Sequence, residues 1–214
     1  MADPLAFRVL PAESYVRTRW ANGGGWTREV LRWPEGAPDG GWDWRLSIAE
    51  VDHDGPFSRL EGIDRVLVLL SGEGMTLEAP AGGPGDGADP GDAAAPIVLP
   101  PPHAIARFPG ERALHARLHA GPTRDFNLMW RRGRVEAELW LRPLVGAMVF
   151  FAAPGERWAV HVVAGVARAK DRPGTDVLEQ GDSALLGADG RGGRLILDGA
   201  GTLLVMRLAP PAAG

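Results

Sequence analysis

Trp42-Asp-Trp-Arg-Leu-Ser-Ile-Ala-Glu-Val51 alternates at almost every step. Trp42, Trp44, Leu46 and Ile48 share one parity, and Asp43, Arg45, Ser47 and Ala49 share the other. Successive side chains of a strand point to opposite faces, so the run predicts a β-strand with one apolar and one mixed face. Working outward, Phe126, Leu128 and Trp130 alternate against Asp125, Asn127, Met129 and Arg131. Residues 65–70 are nearly all apolar, as in a strand buried on both sides. Weaker strand signals cover residues 113–119, 147–151, 158–166, 194–197 and 202–208. Helical periodicity is scarce. The stretch 134–141 is the best helix candidate, and it reads also as a strand or a linker.

Thirty glycines and 19 prolines in 214 residues supply turns between many short strands. The pattern predicts an all-β sandwich or small barrel. A faint internal echo, Gly110-Glu111 before Leu114 and Leu118 against Gly181-Asp182 before residues 194–208, is what a duplicated barrel would leave behind. Residues 79–96 are almost wholly Ala, Gly, Pro and Asp and read as a flexible loop. Pro100-Pro101-Pro102 stiffens the return into the fold. Residues 210–214 read as a frayed tail.

Composition excludes several classes. Lys and Arg total 23 against 27 Asp and Glu, a net charge of −4, so no generally basic nucleic-acid surface is expected. There is no cysteine, hence no disulfide, thiolate metal site or cysteine nucleophile. The longest apolar run, residues 144–153, is too short to span a membrane, and the N-terminus shows no secretory pattern. A cytoplasmic protein fits these features.

Three segments carry the candidate chemistry. Trp20-Ala-Asn-Gly-Gly-Gly-Trp-Thr-Arg-Glu29 is a polar glycine loop leading into a possible strand, on which Thr27 and Glu29 would share a face. It is either an ordinary turn or the rim of a pocket, and it lacks the lysine and spacing of a phosphate loop. Arg45, sharing its face with Ser47, needs an anionic partner if that face looks inward. Glu29, Asp64 and a ligand carboxylate all qualify. Arg65 poses the same question. Phe57 and Ser58 end the Gly55-Pro56 turn as either a core anchor or a ligand contact. Asp125, Asn127, Met129 and Arg131 form either a solvated face or a second pocket wall. The five histidines show no metal-ligand spacing: on a strand, His115 and His119 would stand about 13 Å apart. No Gly-x-Ser-x-Gly elbow is present. No metal or other cofactor is expected.

Taken together in order, Trp20 to Glu29, Trp44-Arg-Leu-Ser-Ile-Ala-Glu-Val, Gly55-Pro-Phe-Ser, Gly62-Ile-Asp-Arg, Leu70-Ser-Gly-Glu-Gly and Gly121-Pro-Thr-Arg-Asp-Phe-Asn-Leu-Met-Trp-Arg-Arg-Gly resemble the HutD/Ves family. These motifs span residues 20–133. The resemblance implies a cupin-type (RmlC-like) double-stranded β-helix fold, a bicupin in one chain. The expected barrels are residues 1–132, carrying the 79–96 loop, and residues 133–214, packed as one compact unit. It implies a regulatory protein of histidine utilisation that senses a carboxylate intermediate such as urocanate or formiminoglutamate. The family brings no established catalytic reaction. The inserted 79–96 loop and the tryptophans at 26 and 130 depart from the family pattern and bear on ligand specificity.

With that resemblance, Asn22, Thr27, Glu29, Arg45, Ser47, Phe57, Ser58, Arg65, Asn127 and Met129 become the expected ligand-binding residues, and none is assigned a catalytic role. Arg45 would hold the ligand carboxylate, Phe57 would stack on a planar group, and Asn22 and Thr27 would bond its far end. Two other classes compete. One is a metal-free cupin isomerase or hydrolase with His53 or Glu29 as base. The other is an interaction protein or stress-related Ves-type protein, in which Trp42 and Trp44 would suit a partner or a homodimer seam, though such residues are more often core.

Overall fold

The computed structural model describes residues 5–80, 95–170, 177–187 and 189–211. The expected loop at 79–96 falls largely outside the described residues, as does the end of the expected tail. Fifteen strands and one 3-10 turn make up the regular structure of the rest, and all named pairings are antiparallel. No helix among the described residues is long and apolar enough to cross a membrane. The chain divides into two compact units, Val16–Arg132 and Met1–Tyr15 with Gly133–Gly214.

The unit Val16–Arg132 holds ten strands: β2 (Val16–Arg19), β3 (Gly25–Trp33), β4 (Trp44–Val51), β5 (Gly55–Pro56), β6 (Ile63–Ser71), β7 (Met75–Glu78), β8 (Ile97–Leu99), β9 (Ile105–Pro109), β10 (His115–Leu118) and β11 (Thr123–Arg131). They form a six-stranded sheet in the order β2-β3-β4-β11-β6-β9 and a four-stranded sheet in the order β5-β10-β7-β8. Leu67, Ala106 and Phe108 of the first sheet share a core with Met75, Leu77, Leu99 and Ala116 of the second. The two sheets therefore pack face to face, as amphipathic sheets must to remove apolar surface from water.

The alternation of β4 and β11 is realised, but most of its mixed face is covered. Ser47, Ala49, Asp125, Asn127 and Met129 are all buried. Trp44, on the opposite face, is buried too and stacks on Trp33 at 6.0 Å between ring centroids. A run that alternates perfectly can still be covered on both sides, because covering depends on what packs above it and not on the strand.

Among its described residues, the second unit has one five-stranded sheet in the order β1-β14-β13-β15-β12. Its strands are β1 (Phe7–Leu10), β12 (Glu136–Ala152), β13 (Arg157–Ala169), β14 (Ser183–Leu186) and β15 (Gly193–Ala209). Leu144, Phe150, Val160, Val162, Ala167, Leu197 and Leu203 join one core. A bulge between Val162 and Ala164 shifts parity, so side chains before and after it face that same core. The segment 134–141 is no helix: from Glu136 it pairs residue by residue with β15. The first fifteen residues, expected in the N-terminal barrel, belong here instead. β1 pairs with β14, and the Tyr15 hydroxyl lies 2.9 Å from Ser183 Oγ, which in turn lies 3.0 Å from His161 Nδ1.

Candidate functional site

Cross-strand register builds the site. On the inner face of the six-stranded sheet, Arg32, Arg45, Met129, Arg65 and Phe108 stand in one row across β3, β4, β11, β6 and β9. Glu29, Ser47, Asn127 and Leu67 form the next row, and Thr27, Ala49, Asp125 and Leu69 the one after. Neighbouring strands lie about 4.8 Å apart, so residues in a row touch their neighbours. A bulge between Glu29 and Leu31 inserts one residue into β3. Without it, Glu29 and Arg32 would point to opposite faces; with it, both stand beside Arg45.

Above this face lies a cavity of about 400 Å³. Arg45, Ser47, Ala49, Arg65, Asn127 and Met129 form its floor. Trp20, Ala21, Asn22 and Thr27 line one side, and Pro56, Phe57, Ser58 and Leu60 the other. The glycine loop is a hairpin turn held by the Trp20 amide on Gly25 O and the Gly23 amide on Trp20 O, both at 3.0 Å. Gly23 sits at φ +74°, open to glycine at no steric cost. Gly25 is required for a different reason: a Cβ there would lie 2.2 Å from Glu50 O. The turn brings Trp20 back over the strand, where its indole Nε1 donates to Thr27 Oγ1 at 2.8 Å.

The two floor arginines are held differently. Arg45 Nε donates to Glu29 Oε2 at 2.8 Å, and Arg32 takes both Glu29 oxygens at 2.6 Å. Partial burial works against the Glu29 carboxylate, but the bonds from Arg32 and the charge of Arg45 outweigh it and hold it below the usual range. Such a carboxylate is a poor base.

Arg65 is 7% exposed, and its guanidinium hydrogen-bonds to an amide where that of Arg45 pairs with a carboxylate. Its Nη2 donates to Asn127 Oδ1 at 2.7 Å, its Nη1 makes a long 3.5 Å contact with Ser58 O, and its Nε is buried without a partner. The guanidinium stands 5.4 Å from the Phe57 ring centroid and 5.2 Å from that of Phe108. Burial lowers its pKa to about 10, so it stays cationic at neutral pH. Behind it, the Asn127 amide donates to Asp125 Oδ1, while Asp125 Oδ2 has no partner. Burial pushes Asp125 up to about 7, against the opposing pull of Arg65 and the bond from Asn127.

A desolvated cation on the floor, beside an amide and a serine hydroxyl and with Trp20, Phe57 and Leu60 among the walls, can hold an anion that carries a flat or apolar body. Among the described residues no group of three or more His, Asp or Glu is placed to hold a metal ion.

A family model described as HutD matches residues 12–205 of the chain. The chain belongs to the HutD family. An uncharacterised 21.2 kDa protein in the hutC 3' region of Pseudomonas putida is 35% identical over 132 residues, 62% of each chain. The chain thus spans about three fifths of that relative's length. Protein Ves of Cronobacter sakazakii is 32% identical over 154 residues, 72% of this chain and 74% of that one. The structure of HutD from Pseudomonas fluorescens SBW25 is similar with a TM-score of 0.77 at 30% identity, covering 97% of this chain and 100% of that one. Bacterial pirin YhhW of Escherichia coli, 9% identical with a TM-score of 0.63 over 97% of this chain and 100% of its own, shares the fold alone, a cupin-like one.

Nine of the ten residues singled out from the HutD motifs line the cavity: Asn22, Thr27, Arg45, Ser47, Phe57, Ser58, Arg65, Asn127 and Met129. Glu29 does not; Arg32 and Arg45 occupy its oxygens. Of the partners open to Arg45, Glu29 is the one realised, while Asp64 binds Arg132 at 2.6 Å. His53 is exposed and off the cavity, and His119 pairs with Thr76 at 2.9 Å. Trp20, Ala21, Ala49, Pro56 and Leu60 also line the cavity without having been singled out, nor was Asp125 singled out as the carboxylate beneath the floor. Trp20 was visible beside the glycine loop, and Asp125 shares the parity of Asn127 and Met129. No signal marks Leu60.

Proposed function

We propose that the cavity binds a small carboxylate and that the chain acts as a ligand-sensing regulator of histidine utilisation. Arg65 carries this reading. It is a buried cation on the cavity floor, and the Asp125 carboxylate that acts on it through its charge is separated from it by the Asn127 amide. A buried charge left that incompletely satisfied is costly unless another anion completes it. Membership of the HutD family supplies the link to histidine utilisation. Urocanate and formiminoglutamate both carry carboxylates of suitable size. In this reading the carboxylate sits on Arg65, Ser47 and Asn127, Phe57 covers the planar part, and Asn22 and Thr27 meet the distal end. Each unit is read as one cupin-type barrel, making the chain a bicupin of the cytoplasm; the cupin-like likeness to the pirin supports the fold type.

A thermal-shift series with histidine, urocanate, formiminoglutamate, formylglutamate and glutamate tests the reading. A ligand that binds only the native state stabilises it by RT ln(1 + [L]/Kd). Urocanate or formiminoglutamate should raise the unfolding midpoint selectively, and the shift should shrink in Arg65→Lys. No shift with any of the five at millimolar concentration would remove the reading and favour a Ves-type role or a protein partner.

A further inference from the structure

We propose that Asp125 makes anion binding in this cavity proton-coupled: as a carboxylate seats on Arg65 and Asn127, Asp125 takes up one proton from solvent. The inference rests on the carboxylate-site reading above and adds a regulation to it.

The geometry is a relay of three side chains. Asp125 is 0% exposed and lies one row deeper than Asn127 on β11. Asn127, 4% exposed, gives its amide oxygen to Arg65 and one amide hydrogen to Asp125. A cation on one side and a carboxylate on the other fix the amide in a single orientation, leaving its second hydrogen for a ligand. Asp125 Oδ2, unpartnered now, is the oxygen that can receive the proton.

The charges around Asp125 are few. β6 supplies Arg65. β4 places Ala49 opposite it and Arg45 two rows away, where Arg45 is tied to Glu29. β3 supplies Thr27 in the same row and Glu29 in the next, the latter held by Arg32 and Arg45. On β11 itself Thr123 adds a buried hydroxyl without a partner. The facing sheet contributes Met75, Leu77 and Ala116 to the core, none of them titratable. Among the described residues, Arg65 is thus the cation acting on an ionised Asp125, which already sits near its own midpoint at neutral pH.

An incoming carboxylate is a second anion on that cation. It competes for Arg65 and repels Asp125 across a poorly polarisable wall. The occupied protein therefore holds Asp125 protonated to higher pH than the empty one. Only an O–H bond forms, and the proton comes from water or buffer. The sign follows from linkage: affinity is highest where the empty protein is already protonated, and it falls as pH rises above about 7.

The test is calorimetric titration with urocanate at pH 8, once in phosphate and once in Tris. The two buffers differ in ionisation heat, so their difference counts protons. Uptake approaching one proton, with Kd about tenfold tighter at pH 7 than at pH 9, supports the coupling. Asp125→Asn, nearly isosteric, should abolish both effects. Because that variant removes a buried charge and could fold poorly, the wild-type buffer comparison stands by itself. Equal heats in both buffers with urocanate bound would overturn the coupling and leave the carboxylate site intact. Failure of both urocanate and acetate to bind would overturn the site reading and the coupling together.

Discussion

Arg45 and Arg65 sit in one row with Met129 between them, yet they should respond differently to substitution. Arg45 is already neutralised by Glu29, whereas Arg65 donates to the neutral Asn127 amide. Arg65→Lys keeps the charge but loses the planar fork, and a charge-assisted hydrogen bond contributes about 1.5–3 kcal/mol. Ligand affinity should fall about 10- to 100-fold, measured by calorimetry. Arg45→Ala should cost less than about tenfold by the same measurement. Asp125 gives a second prediction. Its folded-state pKa is raised, so its contribution to stability is complete below the unfolded value near 4 and is lost as pH rises through about 7. Glu29, held low, contributes in the opposite sense and loses its share in acid. Unfolding midpoints of the wild type should therefore decline between pH 5 and 8 more than those of Asp125→Asn. Equal slopes would mean that Asp125 does not titrate in that window. Sequence parity placed Asn127 and Met129 on the same face as Asp125, but it carried no information on depth. A solvated aspartate and one sealed beneath an asparagine have the same one-dimensional signature.

At the scale of elements, the bulge in β3 decides which charges meet. Strict alternation along residues 25–33 would have split Glu29 from Arg32, and nothing in the composition of Glu29-Val30-Leu31 announces the inserted residue. That is why Glu29 looked available for a ligand and is instead bound by two arginines. The stretch 134–141 shows the opposite problem. Its local pattern suits a helix, and the long ladder with β15 overrides it, because non-local pairing outweighs weak propensity. The glycine loop was legible as a turn, and its closeness to β4 supplies a stability test. Gly25→Ala would press a methyl group onto Glu50 O at 2.2 Å and the Trp20 ring at 3.2 Å. Overpacking of this kind costs about 1–3 kcal/mol, which corresponds to a midpoint lower by about 3–10 °C. Gly36→Ala, where a Cβ would meet nothing within 4 Å but φ is +75°, tests backbone strain without the clash and should lower the midpoint less.

For the whole molecule, the net charge of −4 describes the surface and says little about a cavity floored by arginines. The division into units is likewise not contiguous in sequence. Composition offered no reason to assign Phe7-Arg8-Val9-Leu10 to the far end of the chain, since strand pairing with residues 183–186 leaves no local mark. The register Phe7↔Leu186 to Leu10↔Ser183 makes those residues an edge of the second sheet. Removing residues 1–15 should expose β14 and strip Tyr15 from Ser183. Limited proteolysis with mass-spectrometric mapping should then find new cleavage within residues 133–214 while residues 16–80 stay protected. Uniform sensitivity along the chain would show that the two units do not unfold separately.

Of the eight tryptophans, Trp20 alone lines the cavity. Its indole N–H is tied to Thr27, so the ring has a fixed address at the mouth of the site. The molecule thereby carries its own optical probe. Filling the cavity changes the polarity around one fluorophore and leaves seven as constant background, so a Trp20→Phe difference spectrum would isolate the emission of the site without any added dye.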